Sequence, residues 1–120
     1  MDLYEIWFDL IDSSQDVQFA QSLEKYMHFL ANGGLIEGYR LSRRKLGFGP
    51  AGMGEFHVTI ETKDLAQLEQ AFQRAASRDG EVESLHSAVY SSVENATFGL
   101  YRDFPDAVRV AERQPELKMI

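Results

Sequence analysis

The clearest pattern in the chain is a strict alternation of apolar and polar residues in the segment GEFHVTIET, residues 54–62. Every second residue from Phe56 to Ile60 is apolar, whereas His57 and Thr59 lie between them. Successive side chains of a β-strand point to opposite faces, so the alternation predicts a strand with one face against a core. The other face would carry a histidine among carboxylates, as plain surface or as the lining of a site.

Similar patterns predict three more strands. The segments LYEIWFDLI (3–11) and ATFGLYRDF (96–104) are rich in β-branched and aromatic residues, which strands favour. A third segment, LIEGYRLSRRKL (35–46), also alternates. Between the second and third strands, GFGPAGMG (47–54) has four glycines and a proline, which predict a loop that could act as a lid.

Apolar residues at helical spacing predict three helices. The first follows DSSQD, with Ser13 or Ser14 as N-cap, and runs to about Ala31. Its apolar stripe is Val17, Phe19, Ala20, Leu23, Tyr26, Met27 and Leu30. The second begins at Asp64, with Gln67 at the capping-box position, and a shorter third helix spans about 81–91. This β-α-β-β-α-β order with one extra helix predicts an α+β, ferredoxin-like fold, with a four-stranded antiparallel sheet and helices on one face.

Strand parity assigns residues to the two faces of this sheet. The face under the helices is expected to contain Tyr4, Ile6, Phe8, Leu10, Tyr39, Leu41, Phe56, Val58, Ile60, Phe98 and Leu100. The opposite face is expected to contain Leu3, Glu5, Trp7, Asp9, Ile11, Ile36, Arg40, Ser42, Arg44, His57, Thr59, Glu61, Thr97 and Tyr101. Large apolar groups mixed with charges are typical of an interface that encloses a wet cavity. We therefore expect a homodimer with a pocket between its subunits.

The element order and length resemble the dimeric α+β barrel superfamily, in which two sheets face each other and enclose a barrel with one pocket per subunit. More closely, DLYEIWFDL, GLIEGYRLSRRKLGFGP, GEFHVTIETKDLAQLEQAF and LYRDFPD resemble a family of bacterial and marine proteins known only as a domain of unknown function. The resemblance implies the fold and the dimer and carries no assigned activity. It extends to about Asp106, so we expect one domain over residues 1–106 and a C-terminal tail over 107–120.

Composition narrows the functions further. The 120 residues include no cysteine, which excludes disulfides, thiolate metal sites and a cysteine nucleophile, and which suits a cytoplasmic location. The net charge of −7 argues against nucleic-acid binding, because a basic face supplies most of that affinity. There is no apolar run of about 18 residues, so no membrane span is expected.

His57 is the leading candidate for chemistry. A neutral imidazole beside Glu5, Asp9 or Glu61 would be oriented to act as a general base, or it would belong to a polar interface network. Arg40 and Arg44 would either bind a ligand carboxylate or neutralise these acids. The full set of candidate ligand-binding residues is Glu5, Trp7, Asp9, Arg40, Arg44, Phe48, His57, Thr59, Glu61, His86 and Tyr101.

Three functions stay open at this point. The first is binding of a small apolar or aromatic ligand in the barrel cavity, and the second is a cofactor-free enzyme, monooxygenase- or isomerase-like, that uses His57 as acid or base. The third is a purely structural dimer. No histidine spacing predicts a metal site, and the glycine-rich loop matches neither the dinucleotide fingerprint nor the P-loop. We therefore expect no metal and no cofactor, and binding is favoured over catalysis.

Overall fold

A four-stranded antiparallel sheet with helices on one face forms the framework of the protein. The computed structural model describes residues 1–106. The strands are β1 (Asp2–Leu10), β2 (Gly38–Arg43), β3 (Phe56–Thr62) and β4 (Val93–Arg102). The helices are α1 (Asp16–Asn32), α2 (Leu65–Ala76) and α3 (Gly80–Tyr90). The strand order β2-β3-β1-β4 confirms the predicted ferredoxin-like α+β fold, including the extra helix before the last strand.

A side-chain cap fixes where α2 begins, and another starts the short turn that precedes α1, whose own N-cap, Gln15, makes no side-chain hydrogen bond. The Asp64 carboxylate accepts a hydrogen bond from the Gln67 amide at 2.8 Å, and the Gln67 side chain accepts one from the Lys63 amide at 2.8 Å. This confirms the predicted start of α2. Before α1, the Asp12 carboxylate accepts from both the amide and the hydroxyl of Ser14 and starts a short 3₁₀ turn at Ser13–Gln15. The cap is therefore Asp12 and not one of the serines.

The core lies between the helices and the alternate residues of β1 and β3. Phe8 is 2% exposed, and its ring packs against Phe56 at 5.8 Å and Phe19 at 5.3 Å between centroids. The predicted stripe of α1 is buried from Phe19 to Leu30, whereas Val17 is exposed. Val17 was wrongly predicted to face the core: it precedes Leu23 by six residues, which turns it about 120° away around the helix.

Two residues were assigned to the wrong face because their strands are shorter than predicted. β2 begins at Gly38, so the strand alternation does not reach Ile36, and its side chain is buried in the core. Ile11 lies beyond the end of β1 and is exposed. Neither residue belongs to the face of the sheet opposite the helices, where parity alone had placed both.

The edge strand β4 gives a third correction. Phe98 pairs with Ile6 and Leu100 with Tyr4, so both lie on the helix side as predicted. They are nevertheless 52% and 55% exposed. The helices leave the edge of the sheet uncovered here, and the expectation that these two side chains pack beneath them is wrong.

Candidate functional site

The sheet face opposite the helices, called here the open face, carries three rows of residues that cross all four strands. In order β2, β3, β1, β4, the rows are Ser42, His57, Trp7, Thr97; Arg40, Thr59, Glu5, Gly99; and Gly38, Glu61, Leu3, Tyr101. Directly opposed side chains on one sheet face lie close enough to interact. The register therefore brings Trp7, Glu5, His57 and Thr59 together at the centre of this face.

Glu5 is the centre of a hydrogen-bonded cluster. Its Oε2 lies 3.0 Å from Nε2 of His57, and it accepts a hydrogen bond from the Thr59 hydroxyl at 2.5 Å. The Glu5 side chain is only 12% exposed although none of the helices within residues 1–106 covers the face, because its neighbours on β1 and β3 surround it. The carboxylate is thus held in place by its neighbours.

The Trp7 side chain packs against a neighbour on each of the two adjacent strands. Its ring stacks on the His57 imidazole with centroids 4.6 Å apart and planes 13° from parallel. On the other side it lies over Gly99, where an added Cβ would come within 3.3 Å of the indole. Gly99 was missed as a site residue, although a single glycine inside a strand pattern often marks such a close approach.

The pairing with Glu5 determines what His57 offers to a ligand. An ionised carboxylate only accepts hydrogen bonds, so the nitrogen that faces it, Nε2, carries the hydrogen. In the neutral imidazole the other nitrogen, Nδ1, is then a free acceptor or base. Within residues 1–106, no hydrogen-bond partner is found for Nδ1 of His57. The arrangement can accept a hydrogen bond, or a proton, from a molecule above the open face.

Two of the predicted ligand-binding residues have structural contacts instead. Asp9 accepts hydrogen bonds from the Glu55 amide at 2.9 Å and from the Asn95 side chain at 3.4 Å, and it thereby ties the start of β3 to an irregularity in β4. Arg44 donates to the Met53 carbonyl at 2.6 Å and closes the base of the glycine-rich loop. The hydrogen bonds of both side chains therefore lie outside the His57 cluster.

The remaining candidates lie around the cluster or away from it. Arg40 and Tyr101 are exposed on the open face, and Glu61 lies on it beside Gly38. Phe48 is exposed in the glycine-rich loop. The Thr97 hydroxyl donates a hydrogen bond to the Met53 sulfur at 3.7 Å. The end of the loop nearest β3 therefore reaches the open face.

His86 does not join this cluster. It lies on α3, on the helix side of the sheet, with its ring 5.8 Å from that of Tyr26 and 4.3 Å from that of Tyr90. The two candidate histidines are therefore on opposite sides of the sheet and cannot act on one molecule in one subunit.

Arg43, the first residue of the basic run RRK (43–45), is paired with acids in the fold. Arg43 pairs with Glu55 at 2.7 Å and Asp16 at 3.0 Å, and these carboxylates raise its pKa. Residues 1–106 contain no group of three or more histidine or acidic side chains arranged to hold a metal ion. No helix in the same residues is long and apolar enough to cross a bilayer.

Comparison with known proteins agrees with this picture at the level of the fold. No curated protein sequence matches the chain. Among solved structures, a crystal structure from Bacteroides fragilis, described as a dimeric protein of unknown function with a ferredoxin-like fold, aligns with a TM-score of 0.57 at 11% identity. The alignment covers 85% of this chain and 95% of that one. A family model described as a family of unknown function (DUF6614) matches residues 1–115, and the chain belongs to that family.

Proposed function

We propose that the chain forms a homodimer through its open face, and that the His57–Glu5 pair inside the resulting barrel binds a small aromatic molecule with a hydrogen-bond donor, such as a phenol. The observation that carries this proposal is the 3.0 Å contact between His57 Nε2 and Glu5 Oε2, with Trp7 stacked on the imidazole. A fixed polar group beside a large aromatic surface is typical of small-molecule sites.

The composition of the open face supports the dimer. The half-buried Trp7 and Leu3 and the exposed Tyr101 lie on a sheet face that is covered by none of the helices in the described part of the chain. A second copy of the face would remove these apolar groups from water. The Bacteroides fragilis protein, described as dimeric, has the same fold.

The chemistry of the cluster supports the choice of ligand. With Glu5 accepting from Nε2, the free Nδ1 of His57 accepts a hydrogen bond from a ligand hydroxyl. The indole of Trp7 and the ring of Tyr101 favour a flat apolar body through stacking. The cluster holds a hydroxyl on an aromatic ring better than it holds an aromatic ether, which has no hydrogen to donate.

Light scattering tests the dimer directly. We expect the wild type to be a dimer at micromolar concentration, since obligate dimers bury well over about 1,000 Å². Leu3→Glu should give monomers, because it puts a charge among the apolar groups of the interface. Leu65→Glu, at an exposed leucine on α2, is the matched control and should remain dimeric. A monomeric wild type would exclude the barrel.

Calorimetric titration with 2-naphthol and its methyl ether tests the ligand site. Wild type should prefer the naphthol by about fivefold, the value of one hydrogen bond. His57→Phe keeps a ring beside Trp7 and should lose this preference. His28→Phe makes the same change on the exposed surface of α1 and should retain it. A preference that persists in His57→Phe would place the hydroxyl elsewhere.

A second candidate function, proton transfer, is favoured by the partner that Glu5 provides. A carboxylate that orients an imidazole and stabilises its protonated form makes a general base more effective. The test is exchange of hydrogen for deuterium in an enolisable 1,3-diketone, followed by NMR. Loss of the base in His57→Gln should cost about 100-fold or more, with a smaller loss in Glu5→Gln. Glu24→Gln, on the exposed side of α1, should not change the rate. No acceleration by wild type would leave binding as the function.

A further inference from the structure

The helix side of the sheet contains a cavity that the open face does not share. It has a volume of about 360 Å³ and lies between the sheet and all three helices. Its walls are mainly apolar side chains, among them Leu23, Met27, Val58 and Ala75. Pockets for small molecules have volumes of about 300–1,000 Å³. This space is therefore large enough for a ligand, in a part of the molecule that normally packs as solid core.

One corner of the cavity is polar. Tyr26 is only 7% exposed and lines the cavity, yet within residues 1–106 its hydroxyl has no hydrogen-bond partner. Among the described residues no buried polar side-chain atom is left unsatisfied, so this hydroxyl is accessible and can donate to a polar group of a ligand.

Two more phenols lie near this hydroxyl. Burial, with smaller contributions from the neighbouring Tyr90 and Glu83, raises the pKa of Tyr26 to about 12. Burial also raises the pKa of Tyr4, with Tyr90 again contributing. Tyr26 and Tyr4 therefore stay neutral at physiological pH and remain hydrogen-bond donors.

The exposed lip of the cavity carries a cation. Arg78, in the connection between α2 and α3, is exposed and lines the cavity. The backbone of Arg78 has φ of 53°, a left-handed conformation that favours glycine and that is unfavourable for arginine. Arg78 directly follows Ser77, the C-cap of α2, a position where helices commonly end with one residue in this conformation.

We propose that this cavity binds a medium-chain carboxylic acid, with the alkyl chain among the core side chains and the carboxylate at the lip beside Arg78. The cavity lies on the other side of the sheet from the His57 cluster, so this site is separate from the proposed dimer site. A carboxylate accepts from both guanidinium and phenol donors, and an arginine can hold it by two hydrogen bonds. The apolar walls select an alkyl chain over a second polar group.

Titration with hexanoate, octanoate, decanoate and dodecanoate tests the proposal. Affinity should rise about fourfold for each added methylene until the cavity is full. Decanoate should bind more tightly than 1-decanol. Arg78→Asn suits the left-handed backbone, removes the cation and should weaken decanoate binding about tenfold without weakening 1-decanol. Arg40→Asn, which removes a cation from the open face, should leave decanoate binding unchanged.

The location is tested by filling the cavity. Ala75→Leu should abolish decanoate binding, whereas Ala66→Leu, at an exposed position of the same helix, should not. NMR contacts from the terminal methyl of decanoate should reach Leu23 and Val58. Absence of binding by wild type, or contacts to Trp7 instead, would overturn the proposal. Since His57→Phe leaves this cavity intact, failure at either site is distinguishable from failure at the other.

Discussion

Neighbouring residues of β1 show how differently the two faces of the sheet are held. Phe8 points to the helix side and is sealed by other aromatic rings, Phe19 and Phe56 among them. Trp7 points to the open face, where it packs on His57 and over Gly99 and stays partly exposed. The helix side is stabilised by removing apolar area from water, and the open face is organised by hydrogen bonds and stacking. One strand therefore supplies both the core and a candidate site.

Replacing Phe8 or Trp7 by alanine should give the largest difference in stability between the two faces. Phe8→Ala should reduce the free energy of unfolding by about 3–5 kcal/mol, because it empties a ring-sized space in the core. Urea denaturation should give the same loss at low and high protein concentration. Trp7→Ala should cost less in the unfolding of each subunit and should instead shift the monomer–dimer equilibrium in light scattering. Equal losses in subunit unfolding would mean that the two faces are stabilised alike.

Phe98 sharpens the comparison within the helix side itself. Its ring stacks on Tyr4 at 6.0 Å between centroids, but half of the residue is exposed at the edge of the sheet. Phe98→Ala should cost only about 1 kcal/mol, because half-buried apolar area contributes about half of what full burial does. A loss close to that of Phe8→Ala in the same urea experiment would show that the edge is covered in solution.

The fold was predictable from the sequence because hydrophobic periodicity and capping residues indicate the same helices and strands. The alternation from Phe56 to Ile60 and the Asp64–Gln67 cap each fixed an element that the structure confirms. Parity failed at Ile36 and Ile11, which flank strands, because alternation says nothing about where pairing stops.

The site was predictable as a face but not as a set of contacts. Parity put Glu5, Trp7 and His57 together, and the register then decided that Glu5 reaches both His57 and Thr59. Asp9 has the same parity on β1 as Glu5. The sequence therefore could not show that Asp9 binds a backbone amide and not a histidine. The helix-side cavity was not foreseen, because its walls read as ordinary core.

Glycine-to-alanine changes at the two edges of the open face test how tightly Trp7 is held. The chain has a single tryptophan, so its fluorescence reports on Trp7 alone. Gly99→Ala places a Cβ about 3.3 Å from the indole and should shift the emission while changing stability by less than about 1 kcal/mol. Gly38→Ala makes the same change at the opposite edge, where the Cβ meets Glu61 at 3.1 Å, and should leave the emission unchanged. Matching spectra for both variants would mean that the indole does not rest on Gly99.

The smallest expected effect separates Asp2 from Glu5, two of the three acids of β1, by their partners. Asp2 lies at the start of the strand, where Arg102 of β4 donates to it at 2.5 Å, whereas Glu5 faces a histidine. The hydrogen bond from Arg102, assisted by its charge, lowers the pKa of Asp2. A lowered pKa in the folded state means that the stabilisation is complete above the unfolded value of about 3.9 and is lost as the pH falls through the folded value.

Asp2→Asn should therefore be slightly less stable than wild type at pH 7, and the two proteins should converge as the pH falls below about 4. The difference is small because Arg102 is half exposed and its ion pair is screened by solvent. Thermal unfolding measured from pH 2 to pH 7 provides the comparison. Glu94→Gln, which changes an exposed acid elsewhere on β4, should follow wild type across the range. A gap between wild type and Asp2→Asn that stays constant to pH 2 would mean that Asp2 acts through packing and hydrogen-bond geometry, and that its charge on the helix side contributes nothing.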